Sequence, residues 1–125
     1  MDLVLKNCRL ADEVGEHFIK VEDGKITGIS KTPLEAVETI DIEGNYVLPG
    51  FIDPHIHFRD PGLTQKEDFK TGSMAAANGG FATVIDMPNT LPKTNTYRAL
   101  EEKIKISKSK SVVYFELQVG HSDLD

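Results

Sequence analysis

The hydrophobic and polar positions of this chain change rhythm once, near Pro49-Gly50. Before that point apolar residues come in short, roughly alternating runs, the period-two signature of strands with one buried face. Leu3 and Leu5 alternate with their neighbours, and His17, Ile19 and Val21 fall on one strand face, with Ile26 and Ile29 beyond Asp23-Gly24. Asp-Gly between two such runs predicts a two-residue type I′ hairpin, because both turn positions need positive φ. Ile40 and Ile42, then Gly44-Asn45, then Tyr46-Val47-Leu48, predict a second hairpin. The result is a small β meander over residues 1–49. Such a piece is thin for a core of its own, so its apolar faces need another surface to pack against.

After Gly50 the pattern becomes β-α-β-α-β. The run FIDPHIHF (51–58) reads as a strand, and Thr64 with Glu67 has the spacing of a capping box that would open a helix there. That helix carries Phe69, Gly72, Ser73 and Ala75 to Ala77 and stops at Gly79-Gly80. FATVIDMPN (81–89) is a largely apolar strand of the kind buried on both faces. A polar loop, LPKTNT, leads to a second helix from Tyr97 to Ser107. Its apolar face is Tyr97, Leu100 and Ile104, and Glu101 and Lys105 have i,i+4 spacing on another face. SVVYFELQV (111–119) supplies a third strand. Strands alternating with helices imply right-handed crossovers and a parallel sheet. Three strands and two helices occupy ~75 residues, and eight such units would need about 250, the size of a (β/α)₈ TIM barrel. The expected fold is therefore α/β: residues 1–49 a β segment, and residues 50–125 the first part of a barrel, cut off after its third strand.

Composition narrows the function classes. The 125 residues are 39% hydrophobic and 27% charged, as in soluble globular proteins. With 14 basic and 20 acidic side chains the net charge is −6, which argues against nucleic-acid and anionic-membrane partners. No apolar run approaches the ~18 residues of a bilayer span, and MDLVLKN lacks the parts of a signal peptide. Cys8 is the only cysteine, so no intrachain disulfide forms and a reducing, cytoplasmic setting is the default expectation. Its alternating apolar neighbours make Cys8 a small buried hydrophobe rather than a reactive thiol.

The candidate chemistry lies in DPHIHFRDPG, residues 53–62. His55 and His57 are i,i+2 in a strand, so their side chains point the same way from Cα atoms about 6.6 Å apart. Two imidazoles at that spacing can converge on one ion with Zn–N bonds of about 2.0 Å. A lone H-x-H is equally the mark of two ordinary strand histidines. Here it closes the first strand of a parallel α/β unit and runs directly into a loop, where barrel enzymes place their chemistry. Arg59 belongs to the same strand-to-loop edge, and its planar fork can hold a carboxylate through two parallel hydrogen bonds. Taken alone it would be a solvated loop arginine. Asn89 ends the second strand, projects from the same face, and can both donate and accept; its bland alternative is turn chemistry in Pro-Asn-Thr.

Residues 49–90, PGFIDPHIHFRDPGLTQKEDFKTGSMAAANGGFATVIDMPNT, closely resemble the first metal motif and following region of dihydroorotases, within the amidohydrolase superfamily. The resemblance implies a metal-dependent barrel and a β-sandwich built from both chain ends, to which residues 1–49 would contribute. It implies one or two zinc ions held in part by His55 and His57, with Arg59 and Asn89 on the substrate carboxylate. The implied reaction is reversible hydrolysis of dihydroorotate to N-carbamoyl-aspartate in pyrimidine synthesis. The family's bridging carboxylate, two further histidines and proton-shuttle aspartate come from later strands, so no catalytic residue is expected within these 125 residues and the segment alone should be inactive. Hydantoinases, dihydropyrimidinases and allantoinases are the neighbouring alternatives; Arg59 and the sequence HFRDPG favour dihydroorotase over them. From another class, a non-catalytic homologue serving as a binding or assembly subunit also fits a chain of this length. A homo-oligomer or a complex of pyrimidine-pathway enzymes is compatible with either reading.

The remaining titratable residues have structural explanations. Turn, capping and helix-dipole roles cover most of Asp53, Asp60, Glu67, Asp68 and Asp86. Asp86 sits inside an apolar strand and so requires a partner, which the sequence does not name. His17 reads as a strand-face residue and His121 as a loop histidine.

Overall fold

The computed structural model describes residues 2–121, and the chain divides between Pro49 and Gly50 into two compact units. In the first, β1 (Asp2–Arg9) runs antiparallel to β2 (Glu16–Glu22), which turns back into β3 (Lys25–Ser30). Asp23 and Gly24 carry φ of 49° and 75°, as the two-residue turn demands, and Glu22 pairs with Lys25 across it. Val4 and Cys8 are fully buried, with Leu3, His17 and Ile19 beside them. Burial, helped by the charge of Asp41, pushes the Cys8 thiol up, as suits an inert small hydrophobe. His17 pairs with Cys8 across the strands, and its Nε2 lies 3.4 Å from a Glu13 carboxylate.

The second hairpin does not form. β4 (Glu38–Asp41) runs parallel to β1 on its free edge, giving the order β3-β2-β1-β4. Glu43 and Gly44 turn at positive φ, and Tyr46 then rejoins the same edge in a parallel bridge to Arg9. The Val47 N–H donates to the Arg9 carbonyl at 2.8 Å, so both apolar pieces extend along β1 instead of pairing with each other. Ile26, Ile29 and Ile40 remain exposed on this sheet.

The second unit follows the predicted alternation: β5 (Phe51–Ile56), α1 (Phe69–Asn78), β6 (Phe81–Asp86), α2 (Tyr97–Lys110) and β7 (Tyr114–Leu117). The three strands are parallel in the order β5-β6-β7. The core is Phe58, Phe69 and Val84, with the Phe58 and Phe69 rings edge to face at 5.2 Å and Phe115 against Phe69 at 6.1 Å. β6 is buried at Val84 and Asp86 and exposed at Ala82, so it is only partly the doubly covered strand its apolar run suggests.

Both helices depart from expectation in detail. α1 opens at Asp68, not at Thr64, which lies in a turn. The Asp68 carboxylate accepts from the Thr71 N–H at 2.8 Å, satisfying an orphan donor of the first turn, and that bond holds the carboxyl below its usual range. Glu67 accepts from the Asp68 N–H and the Thr71 hydroxyl instead of closing a box with Thr64. α2 buries Ala99, Lys103 and Ser107, whereas Tyr97 is largely exposed and Leu100 and Ile104 are half-buried. Its i,i+4 ion pair joins Arg98 to Glu102 at 3.5 Å rather than Glu101 to Lys105. Among the described residues no helix is long and apolar enough to cross a membrane.

Candidate metal and substrate site

β5 ends at Ile56, so His55 is the strand's penultimate residue and His57 the first beyond it. The i,i+2 geometry persists through that exit: the two rings lie 5.2 Å apart between centroids, edge to face, and both residues are exposed. The Asp53 carboxylate accepts the His55 backbone N–H at 3.1 Å. Across the sheet, the Met87 N–H donates to the Ile56 carbonyl at 2.9 Å, which brings the segments after β5 and β6 together. There Asn89 meets the first histidine beyond the strand, with its Oδ1 2.8 Å from Nδ1 of His57. Three of the four predicted residues, His55, His57 and Asn89, thus form one contact group.

Arg59 lies two residues further on, half-buried, with a left-handed φ of 62°. Few non-glycine residues hold that conformation. Its carbonyl accepts from the Leu63 N–H at 2.9 Å, closing a tight turn. The turn is tied to the loop that carries Asn89: the Leu91 N–H donates to the Pro61 carbonyl at 3.1 Å. Gly62, at φ 89°, faces Leu91 so closely that any side chain there would overlap the Leu91 carbonyl. Asp60, 3% exposed, receives Lys110 from the end of α2 at 2.6 Å. Among the described residues the Arg59 guanidinium has no ion pair.

Behind this exposed surface sits a buried polar cluster that sequence reasoning located only by half. Asp86 is the residue that required a partner, and the partner is Lys103 of α2, its Nζ 2.6 Å from a carboxylate oxygen with both side chains fully buried. The second Asp86 oxygen accepts the Phe58 N–H at 2.8 Å, and Lys103 also donates to the Met87 carbonyl at 2.8 Å. Phe58 stands between His57 and Arg59, so this pair fixes the backbone from which both project. In sequence Lys103 looks like a solvated helix lysine. The available signal was its place at i+4 from Ala99 and i−4 from Ser107, one small-residue helix face. Gly72 completes the support, because a Cβ there would overlap the Phe58 ring.

The donor set would suit a borderline-soft divalent ion: two imidazoles side by side at an open strand end. No group of three or more His, Cys, Asp or Glu able to hold a metal is assembled among the described residues. His17 is buried in the first unit and His121 is exposed after β7.

Residues 46–118 match the family model described as amidohydrolase family. A dihydroorotase of Methanothermobacter thermautotrophicus is 56% identical over 119 residues, which are 95% of this chain and 27% of that protein. One from Methanosphaera stadtmanae is 50% identical over 123 residues, 95% of this chain and 28% of its own. The chain thus spans about a quarter of the length of the curated relatives it matches. Among solved structures, an L-hydantoinase (dihydropyrimidinase) from Arthrobacter aurescens superposes with a TM-score of 0.84 at 41% identity, over 93% of this chain and 27% of that one. A D-hydantoinase gives 0.83 at 32%, over 100% of this chain and 28% of its own.

Proposed function

We propose that this chain, which belongs to the amidohydrolase family, is the N-terminal part of a dihydroorotase that hydrolyses dihydroorotate reversibly to N-carbamoyl-aspartate. The observation that carries the reading is the contact group at the ends of β5 and β6, two adjacent imidazoles and an asparagine bonded to one of them, with an arginine two residues further along the chain. In this reading residues 50–125 begin a (β/α)₈ barrel and residues 1–49 belong to a composite β-sandwich. His55 and His57 hold part of a zinc centre of one or two ions. Zinc, when bound, would polarise the ring carbonyl and lower the pKa of a water molecule to about 7. Arg59 and Asn89 hold the substrate carboxylate and so fix the position of the reacting ring. The remaining ligands and the acid that protonates the departing nitrogen belong to other parts of the whole protein. A cytoplasmic protein acting on a small molecule in pyrimidine synthesis completes the proposal.

The hydantoinase likeness supports a second reading, a cyclic amidohydrolase whose ring substrate has no carboxylate. Arg59 separates the two, since a guanidinium two residues past the histidine arm, without an ion pair among the described residues, suits an acidic substrate. The test assays the whole protein on dihydroorotate and on a hydantoin, with and without chelator, beside the Arg59→Lys variant. Dihydroorotate turnover sensitive to chelator is expected. Replacing the two-pronged contact with a single ammonium should raise KM about 10- to 100-fold, the equivalent of a lost charged hydrogen bond, with zinc content intact. Turnover of hydantoin alone would move the protein to the neighbouring activity, and unchanged constants in Arg59→Lys would remove Arg59 from the site.

A further inference from the structure

We propose that Asn89 sets the tautomer of His57, and so turns the Nε2 lone pair of that ring toward the metal, in addition to any contact it makes with substrate. The inference rests on the metal-arm reading above and extends it. An amide oxygen can only accept a hydrogen bond. With Asn89 Oδ1 at 2.8 Å, Nδ1 of His57 must carry the proton. A neutral imidazole protonated at Nδ1 has its free lone pair on Nε2, the atom then available to a metal. Ligating histidines generally give their second N–H to an oxygen that fixes both tautomer and ring orientation. Among the described residues the His55 ring has no hydrogen bond and meets the His57 ring edge to face, so the two ligands are not equivalent.

Asn89 is built to hold still. The N–H groups of Thr90 and Thr94 both donate to the Pro88 carbonyl at 3.0 Å, folding the chain tightly around Asn89. The Thr90 hydroxyl donates to the Pro92 carbonyl at 2.9 Å and accepts from the Thr94 hydroxyl at 3.1 Å, and both threonines are almost completely buried. The backbone that carries the acceptor is therefore positioned before any ligand arrives, which leaves less to order on binding. His57 occupies only the amide oxygen. The Nδ2 amine remains to donate elsewhere, and a substrate carboxylate is the group proposed for it. One amide would then serve metal and substrate through its two ends.

The two ends can be separated by substitution in the whole protein. Asn89→Asp keeps an obligatory acceptor for Nδ1 but loses the amine; Asn89→Ala loses both. Zinc affinity is read by competition with a chromophoric chelator, the His57 tautomer by ring ¹⁵N shifts of the metal-free protein, and substrate binding by KM for dihydroorotate. Asn89→Ala should weaken zinc binding about 10- to 100-fold and mix the tautomers. Asn89→Asp should keep the Nδ1–H tautomer and near-normal zinc affinity while KM rises. Where alanine prevents folding, Asn89→Leu, close in volume, replaces it. Unchanged zinc affinity and tautomer in the alanine or leucine variant would overturn the proposal, as would loss of the tautomer in Asn89→Asp. Zinc and tautomer effects in a protein that ignores dihydroorotate would refute the substrate reading alone.

Discussion

His57 and Asp86 stand at the ends of neighbouring parallel strands, and their surroundings could hardly differ more. His55, His57 and Asn89 are exposed, with the two rings in contact and Asn89 bonded to His57. Asp86 and Lys103 are fully enclosed and bonded to the backbone on both sides. Phe58 joins the two regions: its N–H belongs to the buried pair, its ring to the core, and its chain neighbours to the open arm. The difference separates two tasks. Exposed side chains contribute little to folding and stay available for binding, while the enclosed pair decides where the backbone carrying them goes. A buried pair of this kind is weak evidence for net stability, since desolvation offsets most of its attraction, but breaking it leaves an uncompensated charge.

Perturbing the two regions separately should therefore give opposite signatures. The largest effect on folding is expected from Asp86→Ala, about 3–5 kcal/mol, because Lys103 is left charged and unpaired in the interior. Joining Asp86→Leu to Lys103→Met should recover much of that stability but not the hold on the Phe58 N–H, so zinc affinity should stay low. Urea denaturation with parallel zinc titration reads both, and a double variant with normal zinc affinity would detach the buried pair from the arm. Gly72→Ala should come next. The alanine gains helix propensity worth roughly 0.5–1 kcal/mol, but overpacking against the Phe58 ring costs about 1–3 kcal/mol, so the net effect should be a modest loss with weakened zinc binding. The smallest effect on folding belongs to His55→Ala, within about 0.5 kcal/mol as for other exposed positions, yet zinc retention should collapse. A large stability loss there would mean that the arm is part of the core after all.

The same contrast explains what the sequence could and could not reveal. The Asp23-Gly24 turn was readable because its chemistry is local: two residues that tolerate positive φ between two β runs. The histidine arm was readable for a similar reason, since i,i+2 spacing in a strand fixes direction without knowledge of anything else. The pairing of β4 was not, because antiparallel return and parallel extension along β1 place the same apolar residues in a sheet; a backbone more than thirty residues away made the choice. The start of α1 was misplaced at Thr64 on its capping-box spacing with Glu67, because Asp68 makes the cap with the Thr71 N–H instead. For α2 the apolar stripe misled. Tyr97, Leu100 and Ile104 look like the inner face, but Asp86 draws Lys103 inward and with it the small residues Ala99 and Ser107. Asp86 itself announced a missing partner, and only the fold could supply the name.

The contact between Gly62 and Leu91 has a consequence for engineering. Because one loop's backbone fills the space a side chain would need on the other, the two loops form a single interchangeable part. An attempt to redirect substrate choice by grafting only the Arg59 loop from a relative would set a foreign backbone against an unchanged partner. Arg59 and Asn89 would then lose their common frame. Exchanging residues 57–63 and 88–95 together preserves it, which makes the pair of loops, rather than either one, the smallest unit to transplant.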